Sequence, residues 1–119
     1  MRITVLVLTC LISEAAVAAE LSGQQLRLAL IGQPIHWWEK DGWHAGEVVF
    51  LPDGRAEIFV DTPGSLSDVG RWHINGNQIC TSWTRLRGDS LKCYTVDRIG
   101  ANRFHTSGGN IFEVVLVGT

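Results

Sequence analysis

A short stretch of the sequence carries two histidines and a glutamate that could together bind a metal ion. His36, Glu39 and His44 offer imidazole nitrogens and a carboxylate, which are common ligand types for zinc in proteins. Their spacing matches no standard motif, such as the H-E-x-x-H of metalloproteases, and a tryptophan stands beside each histidine. We therefore expect no metal and no cofactor, and we predict that both histidines lie in turns or on the surface.

The patterns of nucleophilic and general acid–base catalysis are also missing from the sequence. No G-x-S-x-G motif is present. Ser82 lies two residues after Cys80, a cysteine that we expect to form a disulfide. Carboxylate pairs such as Asp61 and Asp68 fall among turn residues, where aspartate is expected for local hydrogen bonding. A small barrel also leaves little room for a desolvated cleft that would shift a carboxyl pKa for catalysis. We therefore expect no catalytic residues and predict that the protein is not an enzyme.

Tryptophans dominate the same stretch and favour binding over catalysis. Three of the 5 tryptophans in the chain fall between Pro34 and Gly46. Tryptophan is enriched where proteins bind partners, and its ring stacks well on other rings. We predict a binding segment here for an envelope protein or a glycan, formed by Trp37, Trp38, Trp43, His36 and His44.

Core packing is the alternative role for these tryptophans. Side chains alternate along an extended strand, so Trp37 and Trp38 must point in opposite directions. The parity that brings Ile35 inward also turns Trp37 inward and leaves Trp38 outward. Packing of Trp37 and Trp43 over the end of the barrel stays open as the alternative to a binding surface.

The first residues are organised like a secretion signal. Arg2 precedes an apolar run from Ile3 to Ile12, and Ala16-Val17-Ala18 is a small-residue cleavage signature. The run is shorter than the roughly 20 residues of a membrane span. We predict removal of residues 1–19, with the cut after position 18 or 19, and a periplasmic or secreted mature protein. A lipoprotein anchor at Cys10 is the alternative, although residues 7–9 fit its motif poorly.

The remaining residues, 20–119, have the size of a single small β domain. The formal net charge of the whole chain is −2, and no basic run is visible, which argues against nucleic acid as a partner. No transmembrane segment is expected in the mature chain. Two cysteines remain, Cys80 and Cys93, and cysteines of an exported chain are expected to pair, so we predict a disulfide between them.

Three antiparallel strands are expected around these cysteines, at 69–74, 78–84 and 90–96. Asn75-Gly76 marks the first turn, and Gly88-Asp89 lies in the second. If Cys80 lies opposite Cys93, Trp83 lies opposite Ser90, and alternation places one set of side chains on a common core face. These side chains are Trp72, Ile74, Ile79, Trp83, Tyr94 and Val96. One register therefore satisfies both the disulfide and the hydrophobic pattern.

The flanking segments add a helix and more strands. A helix is predicted from Leu21 to Ile31, with Ser22 and Gln25 as a capping box and Leu26 and Leu30 docked on the sheet. A hairpin is predicted around Pro52-Asp53-Gly54, followed by a loop at 61–68 and strands at 103–106 and 111–117. The predicted fold class is mainly β, an antiparallel meander of about seven to eight strands closed or half-closed into a small barrel, with one short N-terminal helix.

The order of these features resembles a family of small exported proteobacterial proteins of unknown function. The features that carry the resemblance are Gly32, Phe50-Leu51-Pro52-Asp53-Gly54-Arg55, Asp68-x-Gly70-x-Trp72, Cys80-x-x-Trp83 and Cys93-Tyr94, and they span roughly Leu21 to Glu113. The resemblance implies an exported β-rich domain and supplies no established catalytic residues. The Gly70-x-Trp72 element also looks like that of lipocalins, avidin-like proteins and periplasmic metalloprotease inhibitors, which use small barrels for binding.

The functional hypothesis that follows is an exported, non-enzymatic binding or structural module of the bacterial envelope. The alternative is an inhibitor of a secreted hydrolase or metalloprotease, by analogy with the small-barrel inhibitors. Such inhibitors insert an ordered terminal segment into the protease. Here residues 19–22 lead directly into the predicted helix, which favours the first hypothesis.

Overall fold

A computed structural model describes residues 19–62 and 64–116 of the chain. The predicted signal peptide, apart from Ala19, and the alternative anchor at Cys10 lie outside the described residues. The described chain contains one helix, α1 (Gly23–Leu30), and a 3-10 turn at Leu86–Asp89. The ten strands are β1 (Ala19–Glu20), β2 (Ile35–Glu39), β3 (Ala45–Phe50), β4 (Arg55–Thr62), β5 (Leu66–Asn75), β6 (Gln78–Trp83), β7 (Lys92–Tyr94), β8 (Val96–Arg98), β9 (Arg103–Thr106) and β10 (Asn110–Val114).

These strands form one antiparallel sheet that curls into a half-barrel, which confirms the predicted fold class. The strand order is β1-β8-β9-β10-β2-β3-β4-β5-β6-β7. Thr95 alone separates β7 from β8, although β7 pairs with β6 and β8 pairs with β9 at the other end of the sheet. Residues a few positions apart in sequence therefore pair with strands near opposite ends of the sheet. This is possible only because the sheet curls and brings its two ends together.

The strand count is higher than predicted, for two physical reasons. The predicted strand 90–96 is divided at Thr95, because its two halves pair with different neighbours. In addition, the two residues of β1 pair with β8, and a strand this short carries no hydrophobic period. The predicted loop at 61–68 is also shorter, because Val60 pairs with Leu66 and the strands continue almost to the turn.

Helix α1 closes one end of the half-barrel. The predicted capping box is confirmed: the Gln25 amide donates to the Ser22 hydroxyl at 3.2 Å, and the Ser22 amide donates to the Gln25 side chain at 2.8 Å. Leu26 and Leu30 are fully buried in the core, as expected for a short helix that needs docking to be stable. Among the described residues, no helix has the length and apolar character needed to cross a membrane.

The predicted core face of the central strands is confirmed. Trp72, Ile79, Trp83 and Val96 are buried, and Ile74 and Tyr94 are half-buried. Cys80 lies opposite Cys93, and the two are joined by a disulfide. The expected pair of Trp83 with Ser90 is wrong, because β6 and β7 stop pairing at Thr81 and Lys92 and the chain then turns through Leu86–Asp89.

Inward-facing residues of β5 explain the Asp68-x-Gly70-x-Trp72 pattern. The Asp68 carboxylate accepts hydrogen bonds from the amides of Val69, Arg85 and Leu86, at 2.8, 2.8 and 2.9 Å. Gly70 leaves space for β6, because a Cβ at this position would lie 2.1 Å from the Ser82 carbonyl oxygen. Asp68 therefore fixes the β6–β7 connection, and Gly70 lets the two strands approach closely.

Candidate functional site

Four connections gather at the end of the half-barrel opposite α1. Adjacent strands are antiparallel, so alternate connections lie at the same end of the sheet. The β2–β3, β4–β5, β6–β7 and β9–β10 connections share one end, and the β3–β4, β5–β6 and β8–β9 connections share the other. The helix end is packed, and the opposite end is open.

A cavity of about 870 Å³ lies in the half-barrel at this open end. Its volume is within the usual range for small-molecule sites. Its apolar wall consists of Trp37, Val48, Ile58, Val60, Leu66, Trp83, Leu86 and Phe112. The polar and remaining lining residues are Glu39, His44, Thr81, Arg87, Lys92, Cys93, Tyr94, Ser107, Gly108 and Asn110.

Arg87 supplies one of the positive charges of the cavity. Its guanidinium donates to the Thr81 hydroxyl at 3.0 Å and to the Tyr94 hydroxyl, and it lies 5.7 Å from the centre of the Tyr94 ring. Both hydrogen-bond acceptors are neutral, and Thr81 is buried on the inner face of β6. The guanidinium is therefore held in place without being neutralised.

The backbone that presents Arg87 has an uncommon conformation. Arg87 and Asp89 have φ values of 58° and 66°, in the left-handed region that residues other than glycine seldom adopt. The amides of Arg85 and Leu86, just before this turn, are bound by the buried Asp68 carboxylate. These bonds anchor the chain just before the turn, and uncommon backbone conformations of this kind are often found at functional sites.

Lys92 adds a second positive charge at the same end of β7. Among the described residues, neither Arg87 nor Lys92 has a carboxylate within ion-pair distance. Tyr94 extends this wall toward the β9–β10 turn, where a Cβ at Gly108 would lie 2.3 Å from the tyrosine ring. The β6–β7 side of the cavity is consequently cationic and aromatic.

Glu39 and His44 form the acidic and imidazole part of the lining. The His44 ring nitrogen Nδ1 is hydrogen-bonded to the Glu39 carboxylate, which also accepts the His44 amide at 3.1 Å. A carboxylate-held imidazole is the base of hydrolytic triads. Ser107 also lines the cavity, but its hydroxyl accepts the Thr95 amide at 3.0 Å and makes no hydrogen bond to His44 among the described contacts. The pair fits a role in shaping the mouth of the cavity.

The three tryptophans of the predicted binding segment occupy different places. Trp37 is 8% exposed, lines the cavity and donates from its ring nitrogen to the Glu47 carbonyl at 3.2 Å. Trp38 points outward and is half-buried under Arg103, whose guanidinium lies 5.3 Å from the ring centre. Trp43 is 65% exposed in the β2–β3 turn, with its ring tilted against His44. The segment thus contributes to both the inside and the outside of the half-barrel.

The histidines are separated in the same way. His36 lies on the outer face of β2, 3.9 Å from the Glu47 carboxylate, whereas Glu39 and His44 line the cavity. Within residues 19–62 and 64–116, no three histidine, cysteine, aspartate or glutamate side chains are grouped so that they could hold a metal ion.

Sequence reasoning did not identify the cationic side of this site. Arg87 and Lys92 flank Gly88-Asp89, and that dipeptide signals only a turn. Asp89 lies two residues after Arg87 and three before Lys92, so the sequence carries no signal that these cations lack an acidic partner in the folded chain.

Comparison with known proteins gives no relative from which a role for these residues could be transferred. No protein-family model matches the chain, and neither a curated protein nor a solved structure is significantly similar to it.

Proposed function

We propose that this protein is an exported, non-enzymatic binding module of the bacterial envelope and that its ligand occupies the cavity. The observation that carries the proposal is the cavity itself: about 870 Å³ in the half-barrel, with an apolar wall that includes three large aromatic side chains and with polar and charged groups beside it. Ligand sites typically combine such a wall with a few polar groups that orient the ligand. An envelope protein or glycan that contacts Trp38 and Trp43 is a further partner of this module.

The inhibitor alternative has less support. Small-barrel inhibitors act through an ordered terminal segment, but here Ala19 and Glu20 pair with β8, and the amide of the buried Leu21 donates to the Val96 carbonyl at 2.8 Å. This leaves little of a mature chain starting at Ala19 or Glu20 to enter a protease. An assay against secreted metalloproteases tests the alternative directly.

Blocking the cavity should abolish binding of an apolar probe. N-phenyl-1-naphthylamine is uncharged at neutral pH and fluoresces when it is bound in an apolar site. Val60 lines the cavity, and Val60→Trp should weaken probe binding by about tenfold or more, because the indole fills space that the probe requires.

The matched control is Phe59→Trp, the neighbouring position on β4, which points to the outer face. This variant should bind the probe as the unsubstituted protein does. Circular dichroism and thermal melting establish that both variants are folded. If folded Val60→Trp binds the probe with unchanged affinity, the cavity is not the binding site.

Export and the disulfide can be checked in one measurement. The intact mass of protein purified from the periplasm should correspond to a chain that begins at Ala19 or Glu20 and lacks two hydrogens, because Cys80 and Cys93 are bonded. A start at Ala19 would keep both residues of β1. Retention of Met1, a lipid on Cys10, or two free thiols would contradict the proposal.

A further inference from the structure

We infer that the ligand of the cavity is a single-chain anionic amphiphile, with its anionic group at Arg87 and Lys92 and its hydrocarbon chain along the apolar wall. This inference rests on the proposed function, since it names the class of ligand for the same cavity.

The charge of the cavity supports an anion. Arg87 and Lys92 both line it, and among the described residues neither has an ion-pair partner. The carboxylate in the lining, Glu39, is engaged by the amide and the ring of His44. Asp89 lies in the same turn as Arg87 but does not line the cavity. The two cations are therefore available to a ligand.

The position of Arg87 supports recognition of a compact head group. Hydrogen bonds to Thr81 and Tyr94 use part of the guanidinium and orient it, while the neutral acceptors leave its charge intact. Guanidinium groups bind carboxylates, sulfates and phosphates in the same forked geometry. An oriented arginine loses less side-chain entropy when it binds than a freely moving one.

The apolar wall supports a hydrocarbon chain attached to that group. Trp83 and Leu86 lie close to Arg87 in sequence, and Trp37, Val48 and Phe112 extend the wall into the half-barrel. Burial of each methylene group is favourable, so a chain in this space adds affinity in proportion to its length. A small free anion would leave the wall without a partner.

Three ligands that share one chain and differ in charge test the inference. Decanoate, decanol and decyltrimethylammonium are titrated at neutral pH, the two ionic ligands below their micelle concentrations and decanol below its solubility limit, with displacement of the naphthylamine probe as the readout. Decanoate should bind about tenfold more tightly than decanol, and the ammonium compound more weakly than decanol.

Variants assign this preference to the two cations. Arg87→Gln combined with Lys92→Gln should bring decanoate to within about twofold of decanol, while decanol affinity stays unchanged. Lys92→Gln alone should reduce the preference, and it removes neither hydrogen bond of the Arg87 guanidinium. Arg55→Gln combined with Arg71→Gln removes two cations from the outer face and should retain the full preference.

The possible failures separate the two proposals. If the probe itself does not bind, so that none of the three ligands can displace it, the proposed function is wrong. If all three bind equally, or if the double variant keeps the preference for decanoate, the cavity binds ligands but the anionic class is wrong. Attachment to phosphatidylglycerol vesicles without uptake of monomeric decanoate would also overturn the inference.

Discussion

Replacing Trp72 with alanine should lower the free energy of unfolding by about 3–5 kcal/mol, the usual range for loss of a large buried aromatic side chain. Trp72 is 6% exposed, and its ring meets Phe50 edge-on at a centroid distance of 6.4 Å. Its ring nitrogen donates to the Leu51 carbonyl at 2.7 Å, and the Arg27 guanidinium of α1 lies 5.7 Å from the ring centre. One side chain therefore connects β5, the β3–β4 turn and the helix.

Urea unfolding followed by far-ultraviolet circular dichroism measures this change. A domain of this size has a total stability of roughly 5–15 kcal/mol, so we expect the variant to lose a large share of its stability. Val69→Ala, on the outer face of the same strand and 59% exposed, is the matched control and should change stability by less than about 0.5 kcal/mol. A change below about 1 kcal/mol in Trp72→Ala would mean that the ring is not core.

Asp68→Ala should be the second most damaging change, with an expected loss of about 3–4 kcal/mol. Its side chain is 2% exposed and accepts three backbone amides from β5 and the β6–β7 connection. Each buried donor left without an acceptor costs about 1–3 kcal/mol, and the costs of neighbouring donors that share one acceptor group do not simply add. The loss should also release the turn that presents Arg87.

The pH dependence of stability identifies the ionised carboxylate as the cause. Burial raises the pKa of Asp68, but the hydrogen bonds from the Leu86, Arg85 and Val69 amides and the charge of Arg85 outweigh it, so the pKa lies below its ordinary value. A lowered folded-state pKa means that the stabilisation is complete above about 3.9, the unfolded value, and is lost as the pH falls through the folded value. Acidification should therefore narrow the stability difference between the unsubstituted protein and Asp68→Ala.

Asp53→Ala provides the control for this measurement. The hydrogen bonds of Asp53 to the amide and side chain of Arg55 also lower its pKa, but the pair lies in an exposed turn. Water replaces the lost contacts, so its effect on unfolding should be far smaller than that of Asp68→Ala. Equal losses in the two variants would show that the buried amides at Asp68 are not the source of the stabilisation.

Local patterns in the sequence were sufficient for much of the fold. The alternation of Trp72, Ile79 and Trp83 predicted the inner face, and Ser22 with Gln25 predicted the start of α1, because both patterns depend on neighbouring residues of the same or a paired element. The pairing of Cys80 with Cys93 was predicted because these two cysteines remain after export, and it is compatible with the same register. Strand alternation alone also predicted that Trp37 points inward and Trp38 outward.

The division of the predicted strand 90–96 at Thr95 could not be predicted from local patterns in the sequence. The run from Leu91 to Val96 has the composition of one strand, and only the curl of the sheet makes its two halves pair with different neighbours. Likewise, Asp68 was expected in a turn, because its amide partners lie on a connection that becomes its neighbour only after folding.

Residue patterns along the chain were enough to predict the class of fold, the helix cap, the inner face of the central strands and the cysteine pair, since each depends on short-range periodicity or on simple pairing. The candidate site, by contrast, exists only in the folded chain. Its wall combines residues of β2 to β5, of β6, β7 and their connection, and of the β9–β10 turn and β10, which are far apart along the chain and meet because the sheet curls. The same holds for the available charge of Arg87. Its guanidinium donates to the neutral Thr81 and Tyr94 hydroxyls, and among the described residues no carboxylate lies within ion-pair distance of it. These contacts exist only in the folded chain.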